Sequence, residues 1–62
     1  MLDTRQTIGI NAYHQKDYET AINVFTEIAE DEELPRGTIL KMEDWKQRSR
    51  WAQLHRQNSI NP

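Results

Sequence analysis

One breaker cluster divides this chain. Pro35 and Gly37 lie within LPRG, residues 34–37, and the only other proline and glycine are Pro62 and Gly9. Proline removes a backbone donor and fixes φ, so a helix or strand rarely runs through such a cluster. The chain therefore reads as one pattern before residue 34 and another after residue 37.

The first segment holds two helical patterns. In the first, Asp3 or Thr4 can accept a hydrogen bond from a free backbone N–H and cap a helix. Ile8, Ala12 and Tyr13 then share one face, which predicts a helix over residues 4–15. The second pattern carries Ala21, Ile22, Phe25, Ile28 and Ala29, an amphipathic stripe over residues 18–31. Asp17 suits its N-cap, and Glu19 in its first turn suits the helix dipole. Between the two lies HQKD, residues 14–17, with no apolar side chain to bury. The stripe resumes in a new phase after it, as expected when a tight turn joins antiparallel helices.

After LPRG, residues 38–57 predict a third helix, with Thr38 as its cap. Its apolar residues fall on two sides. Met42, Trp45, Ser49 and Ala52 take one side, and Leu40, Trp51 and Leu54 the other. A helix with two apolar faces can serve two neighbours. Either tryptophan can be the inner one, because two short stripes leave the helix phase ambiguous. The tail, NSINP, is polar, with Ile60 able to dock. No β-branched alternation points to a strand. The expected fold is all-α: an acidic αα-hairpin over residues 1–34 and a basic capping helix and tail over residues 35–62. The expected core is Ile8, Ala12, Ala21, Ile22, Phe25, Ile28 and Trp45.

Residues 8–29, IGINAYHQKDYETAINVFTEIA, resemble a tetratricopeptide repeat. Ile8 and Gly9 match the large–small pair of that family's first helix, and Tyr13 the aromatic near its end. Asp17 and Tyr18 match the turn, and Ala21 and Phe25 the small residue and aromatic of the second helix. The resemblance implies that Gly9 and Ala21 allow close approach of two helices, with Tyr18 and Phe25 filling the space around the contact. Departures are plain. Lys16 stands where the family has Gly, Arg5 where it prefers Trp, and Ile28 where Ala is usual. The closing proline comes late, and residues 36–62 do not repeat the pattern. A single repeat cannot bury its own hydrophobic face. Here the third helix would cover it.

Charge divides at the same boundary. Residues 1–34 carry two cations against eight carboxylates, net −6, and residues 35–62 carry six cations against two carboxylates, net +4. Such asymmetry marks either mutual attraction of the halves or a surface for a charged partner. The run EDEE, Glu30–Glu33, opposes the dipole at a helix end. It reads as a solvated loop, or as a receiver of a basic partner or divalent cation, and it lacks EF-hand spacing.

A chain of 62 residues buries too little apolar surface to be very stable alone. It has no cysteine, and its two histidines, His14 and His55, are far apart, so disulfides and a zinc site offer no support. An oligomer or a partner is the support that remains. No apolar run approaches the roughly 20 residues that span a bilayer, and the start is not of signal-peptide type, so a cytoplasmic setting is expected. Nothing suggests a nucleophile with its base, so no enzyme and no cofactor are expected. The expected function is a non-catalytic protein–protein interaction module, an adaptor or inhibitor binding a larger protein or a second copy of itself. Its binding residues would be Leu40, Arg48, Arg50, Trp51 and Leu54. The alternative is a small regulator binding nucleic acid through WKQRSRWAQLHR, residues 45–56, where cations interleave with tryptophans. The acidic overall pI of about 5.5 argues against it.

Overall fold

The computed structural model describes residues 4–58. They form three helices and no strand: α1 (Thr4–His14), α2 (Tyr18–Ala29) and α3 (Arg36–Asn58). The fold class is all-α. The candidate cap Asp3 and the tail residues 59–62, Ile60 among them, lie outside the described residues.

α2 is the central helix, packed against both α1 and α3. Its buried residues, Ala21, Phe25 and Ile28, supply most of the core, which Ala12 of α1 and Met42 of α3 complete. Ile10, Tyr13, Val24, Ala29, Leu34 and Trp45 pack around it, half-buried. Ile22 is also only half-buried. The amphipathic stripe of α2 thus serves both neighbours.

The expected place of Ile8 in the core is corrected. Ile8 is 50% exposed. α1 turns Gln6, Gly9 and Ala12 inward instead. The reason is steric. A Cβ on Gly9 would stand 2.6 Å from Phe25 Cε1. The bare glycine backbone lies under the Phe25 ring, and that contact sets the rotation of α1. Ile8, one residue away and so about 100° round the helix, is carried off the core face.

The α1–α2 turn is a Schellman motif. The Asp17 N–H donates to the Ala12 carbonyl at 2.8 Å, and the Lys16 N–H to the Tyr13 carbonyl at 3.0 Å. Lys16 takes the left-handed conformation, φ 65°. Asp17 occupies the N-cap position of α2, and its carbonyl accepts from the Ala21 N–H, but its side chain makes no capping bond. Its backbone geometry follows from closing α1 as much as from opening α2.

α3 begins at Arg36, two residues before the expected Thr38 cap. Pro35 opens it: its carbonyl accepts from the Thr38 and Ile39 N–H groups. Proline suits this place because a helix's first N–H groups lack partners in any case. Gly37 then lies inside the first turn. α3 has 23 residues against 12 in α2, about 34 Å against about 18 Å, so it outruns the hairpin. Beyond the hairpin, Arg56 Nη1 donates to the Lys16 carbonyl at 2.7 Å and fastens α3 to the turn.

Two further ties hold the hairpin's open end. Arg5 Nη2 lies 2.9 Å from Asp31 Oδ2, and Arg5 Nη1 lies 3.9 Å from Glu27 Oε1. Asp31 also accepts from the Glu33 N–H at 3.0 Å. One carboxylate of the acidic run is therefore structural, while Glu30, Glu32 and Glu33 are exposed.

Candidate partner-binding face

The inner face of α3 is built from Met42, Trp45, Ser49 and Ala52. Met42 and Ser49 are fully buried. Ser49 is polar, yet it fits because its Oγ donates to the Trp45 carbonyl one turn earlier, at 2.8 Å. A larger side chain there would hold α2 and α3 apart. Trp45 packs against the core edge to edge with Tyr13, centroids 5.2 Å apart at 80°. It also stacks with Phe25 at 5.8 Å and 29°. Tyr18 continues this aromatic cluster through Tyr13, at 5.6 Å. The structure thus makes Trp45 the inner tryptophan.

The opposite face is open. Leu40 is 56% exposed, Trp51 63% and Leu54 57%. Trp51 and Leu54 lie one turn apart. Leu40 is eleven residues before Trp51, about 16 Å along the axis, so the apolar side chains are two clusters rather than one patch. Polar Asp44 and Gln47 lie between them on the same side of the helix.

The two arginines differ. Arg50 is exposed at the edge of the open face. Arg48 is exposed too, but it is engaged within α3: its guanidinium lies 5.7 Å from the Trp45 ring centroid, and its Nε is 3.0 Å from Asp44 Oδ2. Arg48 therefore braces Trp45, and of the five expected binding residues it is the one with a clear role within the chain. A groove lined by Tyr13, Asp44, Gln47, Arg48 and Trp51 runs beside this edge.

His55 belongs to the face and was not among the expected residues. Its ring stacks on Trp51, centroids 3.7 Å apart at 29°. The i, i+4 spacing of Trp51 and His55 is the signal that would have found it. Gln47 was missed too, although Leu40, Gln47 and Leu54 recur every seven residues.

Among the described residues, no group of three or more histidines and carboxylates is placed to hold a metal ion, and no helix is long and apolar enough to cross a membrane. No protein-family description matches the chain, and comparison with curated proteins and with solved structures gives no match either.

Proposed function

We propose that this chain is a non-catalytic protein–protein interaction module that binds through the outward face of α3, in a cytoplasmic setting. One observation carries the reading. Trp51, Leu40 and Leu54 are each more than half exposed, on the side of α3 that the hairpin does not touch. Tryptophan and arginine are enriched among residues that dominate binding energy, because a large rigid ring removes much water at little entropic cost. Here Trp51 is held flat by His55 and flanked by Arg50, a prearranged anchor rather than a loose side chain. The resemblance of residues 8–29 to a tetratricopeptide repeat agrees with a scaffold whose task is to present a helix face.

The test is site-specific photo-cross-linking in the source cell, with a photoreactive aromatic amino acid in place of Trp51 and, as control, in place of exposed Thr20 on the hairpin. The reading expects adducts at position 51 and few at position 20, with Trp51→Ala abolishing co-purification of the same species. Equal labelling at the two positions refutes it. A bound species that is nucleic acid, lost steeply as salt rises through counterion release, would transfer the function to the alternative class.

A further inference from the structure

We infer that the outward face of α3 docks against the same face of a second copy of this chain, antiparallel, about a two-fold axis near Gln47. This rests on the preceding reading and names its partner.

The pattern of the face is self-complementary. Leu40, Gln47 and Leu54 repeat at seven residues, with Asp44 and Trp51 on one flank and Glu43 and Arg50 on the other. At about 100° per residue these positions span an arc of about 120°, opposite the buried Met42 and Ser49. All of them are exposed. Leu40 and Leu54 are each seven residues from Gln47, so a dyad at Gln47 brings Leu40 of one copy level with Leu54 of the other.

Charge selects the orientation. The acidic residues Glu43 and Asp44 precede Gln47, and the basic residue Arg50 follows it. Laid parallel, two such faces would bring unlike flanks together, so Glu43 of each copy would face Asp44 of the other and Arg50 would face Trp51, with no opposite charges paired. Laid antiparallel, Glu43 of each copy meets Arg50 of the other. Glu43 is about 6 Å before Gln47 along the axis and Arg50 about 4.5 Å after it, so the two come level to within about 1.5 Å. Both lie on the same flank, and the dyad keeps like flanks together. Among the described residues neither Glu43 nor Arg50 has an ion-pair or hydrogen-bond partner within the chain, so each is available. Gln47 fits the centre. Its amide both donates and accepts, so it pairs with its own copy across a dyad, and a self-paired polar residue midway between the two leucines fixes register.

A single helix face buries less than the roughly 800 Å² per partner of a standard interface, so the dimer is expected to be weak, with Kd on the order of 10–100 μM. Sedimentation equilibrium on the full chain, from about 1 μM to about 500 μM, brackets that range. Glu43→Arg and Arg50→Glu each place like charges at both ends of an antiparallel pair, and each should raise Kd about tenfold. The double variant Glu43→Arg, Arg50→Glu restores opposite charges and should return Kd to within about threefold of the parent. Trp51→Ala should also raise Kd about tenfold or more. Circular dichroism of each variant checks that helicity is unchanged. A dimer that depends on Trp51 but ignores the single charge reversals would overturn the antiparallel arrangement while leaving the α3 face as a binding surface. A chain that stays monomeric throughout overturns the dimer, and cross-linking at position 51 then decides separately whether another protein uses the face. A dimer indifferent to Trp51, Glu43 and Arg50 alike overturns the pairing and counts against the face itself.

Discussion

Replacing Gly9 with alanine should destabilise the protein, although alanine is the better helix former. Two effects compete. Gly→Ala inside a helix gains about 0.8–1 kcal/mol from reduced unfolded-state freedom and better propensity. Against this, the new methyl would stand 2.6 Å from Phe25 Cε1 and 3.0 Å from Cδ1 and Cζ. Carbon atoms prefer about 3.5–4.0 Å, so the ring or the helix must yield by about 1 Å. The ring has nowhere to go. Phe25 is fully buried and stacked on Trp45. Overpacking of this kind typically costs about 1–3 kcal/mol. The net loss should be up to about 2 kcal/mol, a fall in Tm of up to about 15 °C for a domain this small. Gly37→Ala is the matched control. Gly37 also lies in a helix, but nothing stands within 4 Å of its added Cβ. It should gain a few tenths to about 1 kcal/mol. Thermal melts followed at 222 nm compare the two. In a Phe25→Leu background, where the ring edge is gone, Gly9→Ala should become neutral or favourable, a coupling that a double-mutant cycle reads directly. If Gly9→Ala raises Tm as Gly37→Ala does, or if the cycle is additive, the close approach of α1 and α2 does not determine the rotation of α1.

Three further outcomes follow from the same geometry. Lys16 holds φ 65°, which costs an L-residue about 1–2 kcal/mol, so Lys16→Gly should raise Tm by several degrees despite glycine's greater freedom when unfolded; its carbonyl, which Arg56 uses, is retained. Trp45→Ala removes the aromatic that closes the core and should cost about 3 kcal/mol, enough to melt much of the chain at 25 °C, whereas Trp51→Ala should stay within about 0.5 kcal/mol of the parent in a urea titration. Arg5→Ala should cost about 1 kcal/mol by loosening the tie to Asp31, and the penalty should shrink in 1 M salt; a loss independent of salt would show that Arg5 acts through packing of its stem.

Hydrophobic spacing made much of this fold legible. The stripe Ala21, Phe25, Ile28 is strongly periodic, and α2 lies where it predicts, shorter by two residues at the end. α3 was legible for the same reason on its inner side, and its outer residues Leu40, Trp51 and Leu54 are exposed. The choice between Trp45 and Trp51 was not legible, because it depends on Tyr13 and Phe25 reaching across from other helices. α1 misled at Ile8, since hydropathy ranks isoleucine above glycine while close packing ranks them the other way at a helix crossing. The side-chain caps expected at Asp17 and Thr38 missed for one reason. Asp17 and Thr38 are good capping residues by type, but a Schellman turn and a proline had already set the backbone at those ends. The ties of Arg48 to Asp44 and Trp45 join i,i+4 and i,i+3 neighbours on one helix, so their spacing was legible in the sequence and sets Arg48 apart from Arg50.

The central place of α2 also bears on how fast the protein folds. Its neighbours in space are its neighbours in sequence, joined by connections of only a few residues. Helical domains with such local contacts fold on the microsecond-to-millisecond scale, because little loop entropy is lost before contacts form. With the modest stability of so short a chain, rapid folding implies rapid unfolding as well. The open form is then visited often and left quickly. Attack by a protease should accordingly follow the equilibrium population of that form rather than the rate of opening. Anything that occupies the outer face of α3 and binds only the closed chain would protect the protein in proportion to its concentration over Kd.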